Sequence, residues 1–549
     1  MSDSAAWANF AATAEAVGAT TKKLEKAAIL AAYFPTLPDA DLVRAARFLA
    51  ARAFALHDQR KLNVGSAQVR DALIAVCPTE LETVRNLPVR FGDMGDVVEA
   101  TLAHRAAQPP PTWTVEKVDD LLAELAATRG SKRKSERIAE TLTELGAQEG
   151  KYFVKLLLGE LRIGLREGLI EEALARLHGL SVATVQRANM MLGDLGETAL
   201  RARHGTLDEA GMRLFHPLTF MLASPVEDSE SLAKAFDPPY YVEDKYDGIR
   251  GQLHKGADGR LALFTRTLDE VIHRFPELEA DARAVPGEWI VDGEILGWRD
   301  GTFLPFNAFQ QRLGRKKVSQ ALMDEIPVIF VAFDLLYHDG ALWIERPLAE
   351  RRAALERLSL SGNVRHSGLL VLPDPDEVVA QFEPARARGV EGLMIKDPRS
   401  DYKPGRRGKE WLKLKRPLAT LDVVVTGVEW GHGKRRNVLS DYTFAVRRSE
   451  DDPTLLNVGK AYSGLTDVEI AEMTEWFKAN TMQSFGHFRT VAPEVVLEVA
   501  FDVVQASKRH KSGYALRFPR IVRIRTDKTP AEIDTLEAVA ALAGETNDE

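Results

Sequence analysis

The stretch EDKYDGIR, residues 243–250, decides how the rest of the chain is read. It follows the β-rich run YYV and sets Lys245, Asp247, Gly248 and Arg250 in the pattern KxDGxR. Taken alone, the stretch also reads as a strand that ends in an Asp-Gly turn with solvated charges. A lysine becomes a nucleophile when desolvation or neighbouring cations disfavour its ammonium form. The functional reading therefore depends on what lies around Lys245.

Downstream of about residue 215, runs such as GEWIVDGEIL, VIFVAFDLLY and WLKLK alternate with helical stretches such as RPLAERRAALERL, the texture of a mixed α+β domain. From about residue 420 the segments VVVTGVEWG, YTFAVRR, LLNVGKAY, VVLEVAFDVV and IVRIRT are short, strand-like and separated by Gly, Asp, Asn or Ser. They predict a small β-barrel, with the boundary near Pro417. Upstream, apolar residues recur at three- and four-residue spacing, as in Leu42, Ala45, Ala46, Leu49 and Ala50, so the first third is predicted to be helical. Helix starts are marked by Pro38 with Asp39 or Asp41, by Thr114 and by Ser181, because short oxygen-bearing side chains satisfy first-turn amides. The run Pro109 to Pro111 predicts a loop between sub-bundles. The expected organisation is all-helical over 1–210, α+β over 211–417 and a β-barrel over 418–549.

Composition narrows the class. The chain has 549 residues, 45% hydrophobic and 28% charged, which suits a soluble multidomain protein. Its net charge of −8 gives no global positive field, so any contact with nucleic acid must come from local patches. One cysteine, Cys77, excludes a disulfide framework and a cysteine-rich zinc site and suits a reducing compartment. The amino terminus lacks the pattern of a secretory signal, and no apolar run approaches the roughly 18 residues of a membrane span. A cytoplasmic protein with no membrane partner is expected.

Six blocks then give EDKYDGIR its context: KYDGIR itself, FTRT around Arg266, DGEI at Asp292 to Ile295, FDLLY at Phe333 to Tyr337, EGLMIK at Glu391 to Lys396, and WLKLK at Trp411 to Lys415. In this order they resemble the motifs of ATP-dependent DNA ligases. The likeness extends to LLLGELRIGLREGLIEEALA, residues 156–175, similar to a stretch of that family's helical DNA-binding domain. It extends also to LRFPRIVRIRTDK, residues 516–528, which is similar to the family's last motif with its RxDK ending. The resemblance implies a helical DNA-binding domain, an adenylation domain of the nucleotidyltransferase fold and an oligonucleotide-binding (OB-fold) barrel. One departure stands out: FTRT has threonine where many members have serine before the arginine.

The resemblance also implies a reaction and its residues. Lys245 would attack the α-phosphorus of ATP and carry AMP, which passes to the 5′-phosphate at a nick before the 3′-hydroxyl displaces it. Such phosphoryl transfers need positioned cations more than acid–base chemistry. Glu243 would accept from the adenine amino group, and Phe333 would stack on the ring. Arg250 and Arg266 would hold the ribose and the phosphate of the adenylate or of the DNA, since guanidinium forks suit phosphate oxygens. Glu294 and Glu391 would bind Mg²⁺ or Mn²⁺ through hard carboxylate oxygens, with Glu294 also in the nucleotide site. Lys413 and Lys415 alternate with Leu412 and Leu414 and should share one face of a strand, from which they would neutralise the α-phosphate and depress the pKa of Lys245. Arg525 and Lys528 would meet the pyrophosphate.

Local charge points to an anionic partner, and the resemblance makes it nicked duplex DNA. Between residues 507 and 528, Lys508, Arg509, Lys511, Arg517, Arg520, Arg523, Arg525 and Lys528 stand against Asp527 alone. A second cluster, Lys132, Arg133, Lys134 and Arg137 in GSKRKSERI, reads as a loop ahead of a helix and suits phosphate contact. A third, Lys434, Arg435 and Arg436, follows the first barrel strand, although charge runs are commonly just solvated faces. A monomer is expected, and no clamp-binding peptide stands out. Rival readings are an RNA ligase or mRNA capping enzyme with the same lysine chemistry, and a DNA scaffold with a degenerate core. The helical first third and the RxDK ending oppose the former, and the intact lysines and acids oppose the latter. An NAD-dependent ligase is disfavoured because resembling proteins carry a four-cysteine zinc site.

Overall fold

A computed structural model describes residues 5–77, 93–105, 107–304, 306–313, 315, 318–415, 419–431 and 435–545. The expected boundary at Pro417 and the candidate Lys434 lie outside these residues. Contacts divide the chain into two compact units: residues 1–80 and 98–416 form one, and residues 81–97 with the strand-rich part from 417 onward form the other.

The first unit opens with helices that begin where capping chemistry predicts. Thr114 caps Val115–Ala127 by accepting from the Lys117 amide, Ser181 caps Val182–Leu192 through the Thr184 amide, and Asp39–Leu49 follows Pro38. Their apolar stripes turn inward, with Trp7 stacked on Phe10 and Phe48 set edge-on to both. The cluster at 131–134 departs from the expected loop. Helix Ser131–Glu144 begins immediately after Gly130, so these cations lie in its first turn.

Two sheets follow. The first has the order β1 (Leu222–Val226), β12 (Arg407–Lys415), β11 (Gly392–Lys396), β2 (Tyr240–Lys245), β10 (Leu370–Leu372). The second runs β4 (Leu261–Thr265), β3 (Ile249–Lys255), β5 (Trp289–Arg299), β7 (Val328–His338), β8 (Ala341–Leu342), with β6 (Thr302–Phe303) on β5 and β9 (Val364–His366) on β7. Alternation along the strands splits each sheet into two faces. Val242, Leu393, Ile395, Leu412 and Leu414 form one core on the far side of the first sheet. Leu253, Val291, Ile295 and Phe330 belong to another on the far side of the second. Between the sheets lies a third cluster of Met221, Ile290, Leu336, Tyr402 and Trp411, with Phe333 and Met394 packed on it.

The second unit wraps one core with β13 (Ala419–Trp430), β14 (Leu439–Arg447), β15 (Leu455–Ala461), the hairpin β16 (Thr481–Phe485) and β17 (Phe488–Val491), β18 (Val496–Phe501) and β21 (Arg520–Ile524). The pair β19 (Val503–Ala506) and β20 (Tyr514–Arg517) forms a separate two-stranded ribbon whose Val504 and Leu516 pack on the same core. Helices Asp467–Ala479 and Leu536–Glu545 complete the core with Ile470, Phe477 and Val539. The strand-only expectation omits both helices. The first begins at a capping box, with Thr466 accepting from the Glu469 amide and Glu469 reaching back to the Thr466 amide.

Candidate active site

KYDGIR crosses from one sheet to the other. Lys245 ends β2, Ile249 begins β3, and only Tyr246, Asp247 and Gly248 intervene. The glycine is required by proximity: a Cβ at Gly248 would lie 2.4 Å from the Ile295 carbonyl and 2.5 Å from Leu296 Cδ2. The segment therefore lies against the DGEI strand, and register sets Arg250 opposite Glu294. In the first sheet Lys245 pairs with Gly392, which pairs in turn with Lys415; one step back the row is Glu243, Met394 and Lys413. Directly paired residues share a face. Gly392 thus leaves a gap without a side chain beside Lys245, and the Glu391 amide donates to the Lys245 carbonyl at 2.8 Å to close the strand end.

Lys245 Nζ forms an ion pair with Glu391, and both side chains are largely buried. The immediate partner of the amine is thus one of the two expected metal-binding acids, a contact not anticipated beside the expected Lys413 and Lys415. Glu294 faces the same space. Burial pushes its carboxyl up to about 8, with Arg250 and Lys245 pulling it down and Asp292 and Asp247 adding to the rise. A half-buried carboxyl so poorly compensated is one that a cation would relieve. Among the described residues no group of three or more His, Cys, Asp or Glu could hold a metal ion by itself. The two glutamates therefore suit Mg²⁺, which commonly takes one or two carboxylates and completes its shell with phosphate and water.

Glu243 is buried and already engaged. Oε1 accepts from Arg352 at 3.0 Å and from Ser367 Oγ at 3.2 Å, and Oε2 accepts from Lys396. A carboxylate has about four acceptor positions, so room for one more donor remains on Oε2. Burial pulls the Lys396 ammonium down and Glu243 pulls it back up, while Nζ sits 4.4 Å from the ring centres of both Phe333 and Trp411. Phe333 meets Trp411 edge-to-face at 6.1 Å. It is half-buried and packs on the cluster between the sheets.

Arg250 is clamped. Nε and Nη2 donate to Asp292 at 3.1 and 2.6 Å, Nη1 donates to the Met221 carbonyl, and the guanidinium lies within 5.0 to 5.5 Å of Phe220, Trp411 and Phe333. Asp292 also accepts from the Tyr402 hydroxyl at 2.6 Å, and its charge holds the arginine firmly protonated. Arg266 lies exposed in the turn after β4. Lys413 is half-buried between Leu412 and Leu414, and the side chain of Lys415 lies outside the described residues.

The expected distal cations have partners of their own. In the second unit Arg525 donates to both oxygens of Asp422, at 2.8 and 2.9 Å, and to Asp527, while Lys528 donates to Asp422 at 2.6 Å. Arg435 pairs with Asp467 at 3.1 Å, and Arg436 is exposed. Lys508, Arg509 and Lys511 are exposed in the turn of the β19–β20 ribbon. Lys132 and Arg133 are exposed. Lys134 is not: it is buried and donates to the Leu62 carbonyl, so it packs the helical region instead of reaching outward with its neighbours.

Sequence reasoning missed Asp292, Asp334, Arg351, Arg352 and Lys396. Asp292 and Asp334 lie inside two of the quoted motifs, are fully buried and face each other across β5 and β7. Arg250 neutralises the first and Arg351 the second, through bonds of 2.8 and 2.9 Å. An acid inside a strand flanked by apolar residues was the available signal, since a buried charge needs a partner.

Three family models match the chain: "DNA ligase N terminus" over residues 7–175, "ATP dependent DNA ligase domain" over 220–415 and "ATP dependent DNA ligase C terminal region" over 435–528. A "Probable DNA ligase" of Koribacter versatilis is 48% identical over 96% of this chain and 95% of its own length. A "DNA ligase" of Archaeoglobus fulgidus is 34% identical over 98% of both chains. A solved structure titled "Pmar-Lig_PreS3" superposes with a TM-score of 0.61 at 17% identity, covering 94% of this chain and 99% of that one, which supports the fold.

Proposed function

This chain belongs to the ATP-dependent DNA ligase family, and from that premise we propose that Lys245 is the residue through which it seals nicks in duplex DNA. ATP is the AMP donor, and a divalent metal ion supports the reaction by offsetting phosphate charge. The relatives named DNA ligase match over nearly their full length, which sets aside the RNA ligase, capping enzyme and scaffold readings.

In the first step the neutral Lys245 amine attacks the α-phosphorus of ATP. A nitrogen–phosphorus bond forms, the bond to the bridging oxygen breaks, and pyrophosphate leaves with that electron pair. AMP then passes to an oxygen of the 5′-phosphate, releasing the lysine, and the 3′-hydroxyl displaces AMP to make the phosphodiester. The observation that carries this reading is the pairing of Lys245 with Glu391 at the end of β2, within the field of Glu294. Before attack the amine must part from Glu391 and lose a proton. Glu294 and Glu391 are the residues that would hold Mg²⁺, and Lys413, one strand row from Lys245, would oppose the α-phosphate charge. Lys415 is proposed for the same task on register alone. Glu243 and Phe333 would take the adenine, Arg250 would present the outer edge of its clamped guanidinium to the ribose, and Arg266 would meet phosphate.

Incubation with α-labelled ATP and Mg²⁺ tests this directly. The protein should acquire covalent label that nicked duplex DNA chases into free AMP and sealed strand. Glu391→Gln should slow labelling by on the order of 10²-fold and raise the Mg²⁺ needed. Labelling at the normal rate in that variant would remove Glu391 from the site.

Arg525 and Lys528 are proposed to meet the pyrophosphate, with Asp422 as the carboxylate from which they are drawn. Lys132 and Arg133 in the helical region, and Arg435 and Arg436 in the second unit, are proposed to touch the DNA backbone. Contacts to phosphate release counterions, so log affinity should fall linearly with log salt at a slope near −0.9 per contact. Lys132→Ala combined with Arg133→Ala should flatten that slope by about 2 without slowing self-labelling. An unchanged slope would return the pair to the solvated surface. The lone Cys77 suits the reducing cytoplasm, and among the described residues no helix is long and apolar enough to cross a membrane.

A further inference from the structure

Between helices Asp39–Leu49 and Ser66–Val76 the chain runs from residue 50 to 65 without regular structure. Connections longer than about 12–15 residues are uncommon inside compact domains and usually have a task. This one is pinned along its length. The Leu56 amide donates to the Gly193 carbonyl at 3.0 Å, His57 stacks on His216 at 3.8 Å, and the Leu62 carbonyl accepts from the buried Lys134.

At its middle the strap reaches the turn that carries Arg266. Gln59 Nε2 donates to the Leu268 carbonyl at 3.1 Å, and Gln59 Oε1 accepts from the Glu270 amide at 2.8 Å. These are the two groups, on either side of residue 269, that a neighbouring strand would pair. Gln59 thus takes the place of a strand with its one carboxamide, which sets a donor and an acceptor side by side. Two residues on, Lys61 pairs with Asp269, and Asp269 accepts from the Thr267 hydroxyl at 2.8 Å. The turn needs such support. Leu268 is buried with φ +63, a left-handed conformation that a leucine resists, and Arg266 stands exposed two residues before it.

We propose that Gln59 is a positioning residue for nick sealing: from the helical region it holds the turn that aims Arg266 at phosphate. The inference rests on the phosphate role proposed above for Arg266. It makes the helical region part of the machinery that shapes the reaction, in addition to any contact of its own with DNA.

The test is a double-mutant cycle on the full chain, with single-turnover rates for self-adenylation, transfer to the 5′-phosphate and sealing. Arg266→Ala should slow one or more of these steps. Gln59→Ala should slow the same steps by on the order of tenfold to a hundredfold, the scale of a displaced catalytic group, and should add nothing in the Arg266→Ala background. Gln59→Glu keeps the acceptor for the Glu270 amide and loses the donor, so it should recover part of the rate. Thermal melting controls for loss of fold. If Arg266→Ala slows the reaction and Gln59→Ala multiplies that loss, or leaves the affected steps untouched, the positioning role is wrong while the reading of Arg266 survives. If Arg266→Ala is itself silent, the reading of Arg266 falls and the inference with it.

Discussion

Lys245→Ala is expected to abolish covalent labelling by α-labelled ATP, with a loss of at least about 10⁴-fold, the scale on which removing a nucleophile acts in enzymes that form covalent intermediates. Sealing of a nick that already carries a 5′-adenylate should survive far better, because the 3′-hydroxyl is the nucleophile there and the lysine forms no bond. This split separates loss of chemistry from loss of fold. Lys245→Arg should fail like Lys245→Ala, since a guanidinium does not give up its proton in proteins. Mass spectrometry of the labelled protein should place the adenylyl group on residue 245. Label that persists in Lys245→Ala, or sits on another side chain, would overturn the proposed mechanism.

Arg351→Ala is expected to cost about 3–5 kcal/mol of stability, as for other buried charges stripped of their partner, with a fall in Tm on the order of 10 °C. The arginine and Asp334 are both fully buried, and Asp334 lies opposite Asp292 on the neighbouring strand. Like charges placed directly across a sheet repel, and here each is neutralised by its own arginine. Without Arg351, Asp334 would hold an unpaired charge beside Asp292, and the carbonyls of Arg346 and Ser400, which accept from Arg351 at 2.6 and 2.8 Å, would lose their donor. Replacing both members, with Asp334→Leu and Arg351→Met, should restore much of the loss because no charge is then left unpaired. A single variant that melts like the parent would show that the pair is dispensable.

The contrast between these two residues marks what a linear reading can reach. Lys245, Glu294 and Glu391 are visible because each sits in a short motif whose spacing survives as strand register, and Thr114 and Ser181 are visible because capping is local. Arg351 is invisible because its meaning lies in a partner on another element, and the same holds for Lys396 and Arg352 around Glu243. The ion pair of Lys245 with Glu391 escaped the same reading, because the motifs give each residue a role and do not say which side chain reaches the amine. Lys134 looks identical to Lys132 and Arg133 until the helix begins at residue 131, after which rotation about its axis turns one of the three inward. Gln59 carries no motif at all. Its role comes from two backbone groups more than two hundred residues away.

The crossing at Tyr246, Asp247 and Gly248 has a mechanical meaning. Four peptide steps join Lys245 to Ile249, and a fully extended chain covers at most about 14 Å over that length, against about 10 Å between packed sheets. The tether leaves about 4 Å of slack, so covalent bonds limit how far the two layers can part at this crossing. The crossing can serve as a pivot between the layers, but it cannot let them separate widely at the edge that carries Lys245.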